Sequence, residues 1–333
     1  MKFIWNRYMF GVLVIHVIGF IALFSVVPDH PAFIGMGIAA YVFGVRHAFD
    51  IDHIAAVDNT IRKLVAQKKD PRGVGFYFSL GHSTVVFLLA VLTAVSVKFV
   101  AKYMSSMQDI GGIIGVTVSG VFLVFLSILN LMLFVQLWKM FRKMKEEKIN
   151  ESDLEKMFEA KGFFTRYLGS LFNVVTKSWH IYPIGFLFGL GFDTATEISL
   201  LTMSAGAANN NFPVLGIIAL PLLFAAGMSL FDTLDGLMMT KSYAWANDRP
   251  VRKVYYNLIV TAISVVAALA VGIVELAQIT TEKLHLSGGL WDIISSIDFG
   301  NLGYFLVGAF LVIWGLAVFI WKFYKIEERY TVK

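Results

Sequence analysis

The sequence predicts an all-α polytopic membrane protein, with about eight transmembrane helices and both termini cytoplasmic. Three observations predict it. Of 333 residues, 57% are hydrophobic and only 15% charged, a balance that excludes an ordinary soluble domain. The apolar residues come in runs of about twenty, the length a helix needs to cross a bilayer core. The basic residues are unevenly placed about those runs. Of the 28 lysines and arginines, 24 fall in segments on the side of the termini, three (Lys98, Lys102, Lys283) on the other side, and Arg46 within a run. By the positive-inside rule this puts both ends in the cytoplasm and the chain in the cytoplasmic membrane. The net charge of +5 thus has a use that needs no nucleic-acid partner.

The elements follow in order. Met1–Val27 begins with Lys2 and Arg7 and has no small-residue cleavage site, so it reads as a retained span rather than a signal peptide. His16 inside it, alone, reads as a packing residue. Further spans are expected at 33–61, 75–97, 111–138, 181–204, 213–239, 254–278 and 302–321, all within one integral domain covering 1–333. Residues 142–178 read as a charged, amphipathic cytoplasmic loop between spans four and five, and 279–300 as an outer connector. LGFDTATE and AGMSLFDTLDG share a small-residue-then-Asp-Thr pattern, but the halves align no further and establish no repeat. No phosphate-binding glycine loop is present, so no ATP chemistry is expected and no ATP-binding subunit is required. The absence of cysteine excludes disulfides, thiolate metal sites and a cysteine nucleophile.

The chemistry is concentrated in polar residues inside the apolar runs. RHAFDIDHIAAVDNT, residues 46–60, places Arg46, His47, Asp50, Asp52, His53 and Asp58 in the second span. The third opens FSLGHSTVVF with His82. The fifth carries Asp193 and Glu197, four apart, and the sixth Asp232 and Asp235, three apart, spacings that share a helix face. Seven carboxylates against one arginine, at about 3 kcal/mol each near the bilayer centre, would cost on the order of 20 kcal/mol if left bare. A bound dication and protonated carboxyls relieve that cost. Imidazole with carboxylate favours nickel, cobalt or zinc over calcium and magnesium. At about 100° per residue, Asp52 falls about 140° from His47, off the arc that holds His47, Asp50 and His53. Either Asp52 faces another helix, or the span is unwound between Gly44 and Asp52. Asn130 in the fourth span reads as interhelical glue.

RHAFDIDHIAAVDNT, FSLGHSTVV, LGFDTATE and GMSLFDTLD resemble, in order and spacing, the four signature segments of the nickel/cobalt transporter (NiCoT) family of permeases, over nearly the whole chain. The family pattern HxxxxDH is met by His47, Asp52 and His53, with Ile51 where the family commonly has alanine. The resemblance implies high-affinity uptake of Ni²⁺, Co²⁺ or both, as substrates rather than cofactors, by a secondary permease and not an enzyme. On this reading His47 and His53 are imidazole ligands, Asp50 and Asp52 the anions beside them, and His82 a further ligand. Asp193, Glu197, Asp232 and Asp235 complete the shell or line the path, and Arg46 pairs with a carboxylate when the metal leaves. Two other classes are weighed against it: an intramembrane metallohydrolase, which needs an open coordination position and a substrate groove, and a metal-sensing membrane protein with 142–178 as its output.

Overall fold

The computed structural model describes residues 7–95, 97–147, 175–191, 194–210, 212–247, 250–297 and 302–323. They form helices and no strand, as expected where lipid offers the backbone no hydrogen-bond partner. In order they are α1 Arg7–Phe24, α2 Phe33–His47, α3 Ile51–Ala66, α4 Val74–Val95, α5 Val97–Glu147 and, after a 3₁₀ turn Ser178–Ile181, α6 Tyr182–Phe188. Then come α7 Ala195–Asn209, α8 Val214–Asn247, α9 Pro250–Lys283, α10 Leu290–Ser295 and α11 Leu302–Phe323. Among the described residues, five helices are long and apolar enough to cross a membrane: α1, α4, α5, α8 and α9. The shorter α2 and the apolar stretch Gly303–Phe319 of α11 add to them. Of the loop expected at 142–178, residues 148–174 lie outside the described residues.

Two expected spans are broken. The second is α2 and α3, divided at residues 48–50. The Ala48, Phe49 and Asp50 amides still reach back to carbonyls of α2, but Asp50 turns to an extended ψ of 139° and starts a new helix. Asp52, in the first turn of α3, accepts the His53 N–H at 2.9 Å. Short acidic side chains satisfy the free amides of a helix start better than they sit in a helix interior. The unwound alternative is therefore the one realised. The fifth span is α6 and α7. After Gly189 and Gly191 the chain restarts at Thr194, whose hydroxyl accepts the Glu197 N–H. Thr194-Ala-Thr-Glu197 has the string of a capping box, with the Glu197 carboxylate taken up by the Thr194 hydroxyl and by His82.

Close backbone approach secures both breaks. A Cβ on Gly303 would overlap the Phe49 carbonyl in the first break, and one on Gly115 the Gly191 backbone in the second. Other crossings are paired. Gly44 of α2 lies on the Phe224 carbonyl of α8, and Gly185 of α6 on the Phe78 carbonyl of α4. Gly227 of α8 lies on the Tyr41 carbonyl of α2, and Gly81 of α4 on the Tyr182 carbonyl of α6. These residues occur in matching strings: Tyr-x-x-Gly at Tyr41 and Tyr182, and Phe-x-x-Gly-x-Ser at Phe78 and Phe224. Each broken helix thus packs on the long helix that follows the other break. Gly120 of α5 and Gly272 of α9 likewise face each other's carbonyls. A broken helix followed by two long helices occurs twice, as α2/α3–α4–α5 and α6/α7–α8–α9. The repeat that the sequence did not establish is present in the packing.

Candidate metal-binding site

The two breaks, α4 and α8 meet at one buried point. His47 ends α2, His53 stands in the first turn of α3, His82 comes from α4, Glu197 from the first turn of α7, and Asp232 from α8. Each is at most 3% exposed. Among the described residues, His47, His53 and His82 offer nitrogens that all lie within 4.8 Å of one another. The arrangement is that of a site between interrupted helices, where the carbonyl end of α2 favours a cation.

His47 Nδ1 lies 2.8 Å from Asp50 Oδ2, with the hydroxyls of Thr194 and Thr196 each 3.3 Å away. Nδ1 therefore carries the proton, and Nε2 keeps its lone pair. The separations His47 Nε2–His82 Nε2, His82 Nε2–Glu197 Oε1 and His47 Nε2–Glu197 Oε1 are 2.9, 2.8 and 4.0 Å. They are the sides of a right triangle with its corner at His82. The midpoint of the long side is about 2.0 Å from all three atoms, the length of a bond from a first-row transition metal to imidazole or carboxylate. The three donors mark three corners of a square plane or of an octahedron's equator. Without an ion the two short contacts are hydrogen bonds, which puts a proton on His82 Nε2 between two acceptors. An entering metal needs the Nε2 lone pair, so that proton must move, either to Nδ1 of the same ring, which has no hydrogen-bond partner among the described residues, or away from the site.

His53 is fully buried and, among the described residues, neither of its ring nitrogens has a hydrogen-bond partner. An unsatisfied buried imidazole is costly, and its presence points to a ligand the ring is built to meet. The ring stands edge-on to Phe78, centroids 4.8 Å apart. Its Nδ1 is 3.6 Å from Asp232 Oδ2, an atom that also has no hydrogen-bond partner.

The structure thus gathers His47, Asp50, His53, His82, Glu197 and Asp232. Asp52 serves the start of α3, and Asp235, three residues past Asp232, has a buried, unpartnered Oδ1. Asp193 lies outside the described residues. Arg46 is exposed and makes no ion pair among them. The second-span arc drawn for a straight helix does not survive the break. Nor is Asp58 uncompensated: Arg62, expected in the cytoplasmic loop, is buried and its Nη2 donates to Asp58 Oδ2 at 2.8 Å. Tyr243 and Ser264 hydroxyls donate to the same carboxylate at 2.7 and 2.6 Å. Asn130 donates to Asn59 Oδ1, joining α5 to α3. His16 is used up by the Val12 carbonyl and Tyr41. Sequence reasoning missed Thr196, which no local signal marks, and the capping role of Thr194, which the T-x-x-E string does mark.

A family model described as NicO, high-affinity nickel-transport protein, matches residues 33–320. The nickel transporter NixA of Staphylococcus aureus is 52% identical over 327 residues, 98% of this chain and 97% of that one. The nickel transporter NicT of Mycobacterium tuberculosis is 45% identical over 302 residues, 90% of this chain and 81% of its own. The cobalt transport protein NhlF of Rhodococcus rhodochrous is 39% identical over 313 residues, 91% and 88% of the two chains. No solved structure matches.

Proposed function

The chain belongs to the NicO family of high-affinity nickel-transport proteins, and from that premise we propose that it is a secondary permease carrying Ni²⁺, and Co²⁺ with it, across the cytoplasmic membrane into the cell. The family is one of transporters, and neither the hydrolase nor the sensor reading gains a supporting observation. The observation that carries the proposal is the buried convergence of His47, His53 and His82 with Glu197 at the junction of two broken helices.

On this reading eight crossings are made by α1, the α2–α3 pair, α4, α5, the α6–α7 pair, α8, α9 and α11, with both termini cytoplasmic. His47 Nε2, His82 Nε2 and Glu197 Oε1 take the ion in one plane, and His53 closes on it. Asp50 orients His47 through Nδ1. Asp52, Asp193, Asp232 and Asp235 keep the path beyond the ligands anionic. Because the imidazole and carboxylate ligands bind the ion only when deprotonated, protons compete with it and uptake weakens as the medium is acidified. Gradients supply the driving force, with no ATP-binding subunit.

Uptake of radioactive Ni²⁺ and Co²⁺ at trace concentration, in cells expressing the wild type, His47→Ala or His82→Ala at equal surface levels, tests this. Saturable uptake by the wild type that drops to background in both variants is expected. A correctly inserted wild type that moves neither metal overturns the proposal.

A further inference from the structure

We propose that His53, Asp232 and Asp235 form a second metal station, to which the ion passes when it leaves His47, His82 and Glu197. The inference rests on the reading of the chain as a nickel permease and adds a step to it. An imidazole has two ring nitrogens, one with the proton and one with the lone pair, and exchanging the tautomer moves the lone pair from one to the other as the proton moves back. Among the described residues His53 satisfies neither nitrogen, though it is fully buried, and Phe78 fixes its plane. The ring lies against the histidine cluster, with centroids 4.5 Å (His47) and 4.8 Å (His82) from its own. Its Nδ1 faces Asp232 Oδ2 at 3.6 Å.

That separation is too long for a hydrogen bond. It is close to the roughly 3.0–3.4 Å between two neighbouring ligands that each hold a metal at about 2.1 Å. Asp232 Oδ2 and Asp235 Oδ1 are both buried and, among the described residues, both lack a hydrogen-bond partner, and their spacing puts them on one face of α8. A nitrogen and two carboxylate oxygens with no other partner among the described residues make a donor set for a divalent transition metal. Asp235 lies further along α8 toward Lys241, the end that the charge distribution assigns to the cytoplasm. His53 is the shared ligand. Because one ring bridges both stations, they hold the ion in turn rather than together, and the second gives it a lower-cost way out of a buried site.

The test uses the purified full-length protein, with Ni²⁺ as probe, for equilibrium binding in detergent and for flux in proteoliposomes. The variants are Asp232→Asn, Asp235→Asn, the double variant, Asp232→Glu and His82→Ala. Carboxamide variants are expected to bind one Ni²⁺ within about threefold of the wild-type affinity, which also shows that they are folded. Their flux is expected to fall at least tenfold, with Asp232→Glu recovering part of it. His82→Ala is expected to lose binding and flux together. If Asp232→Asn weakens binding as much as His82→Ala does, the two carboxylates belong to a single site and the second station is refuted. Flux at the wild-type level in the double variant refutes it equally. A wild type that neither binds nor moves Ni²⁺ refutes instead the permease reading beneath it.

Discussion

At the scale of the residue, what distinguishes this site is which groups are satisfied and which are left open. Asp50 and two threonines surround the Nδ1 side of His47, so the ring is held in one tautomer and its Nε2 is free to bind. Partners of this kind are worth about 10- to 100-fold in metal affinity. Asp50→Asn is expected to cost that much in Ni²⁺ affinity measured by competition with a chelating indicator, and Thr196→Val less than tenfold. An affinity unchanged by Asp50→Asn would show that His47 is oriented by other means. The Asp58–Arg62 pair belongs to a different logic. It is fully enclosed, with Tyr243 and Ser264 completing it, and removing one partner strands a buried charge. Arg62→Leu is expected to destabilise by about 3–5 kcal/mol, seen as a lower apparent Tm in detergent. The double variant with Asp58→Leu is expected to recover most of the loss. Equal losses in single and double variants would refute the pairing.

At the scale of the element, the site depends on two helices stopping where a membrane helix ordinarily continues. Each stop frees backbone groups that need partners, and each is held by a glycine of another helix at backbone contact. The same device sets the spacing of α2 on α8 and of α6 on α4, and it is intolerant of bulk. Gly227→Val drives a side chain into the Tyr41 carbonyl and is expected to destabilise by about 1–3 kcal/mol. Gly308 of α11 has nothing within 4 Å of the position of its Cβ, and Gly308→Val is expected to be neutral in the same thermal-shift measurement. Similar shifts for both would show that helix propensity, rather than close approach, governs these positions.

At the scale of the whole molecule, the swapped packing of two three-helix units places the candidate metal site between them, since His47, His53 and His82 come from one unit and Glu197 and Asp232 from the other. The proposed orientation is open to a direct check, because the chain has no cysteine of its own. Lys69→Cys, between α3 and α4, and Ser287→Cys, between α9 and α10, are both exposed positions. A membrane-impermeant maleimide is expected to label Ser287→Cys in intact cells and Lys69→Cys only after permeabilisation. The reverse pattern would invert the topology.

The sequence by itself determined the class, most of the apolar spans and a set of candidate ligands, because polar residues in apolar runs are costly wherever the chain folds, and that cost is readable one segment at a time. It also limited the second span to two geometries, since a straight helix cannot turn His47, Asp52 and His53 to one point. The tertiary structure decided between them, because the break is stabilised by Gly303 reaching the Phe49 carbonyl from a helix some 250 residues away. It reassigned Arg62 from a cytoplasmic loop to a buried pair with Asp58, since the hydroxyls of Tyr243 and Ser264 that enclose the pair come from α8 and α9. The repeat also waited for the structure. What the two halves share is a few short glycine strings and the carbonyls those glycines touch, too little along the chain to mark a repeat until contact across the fold pairs them.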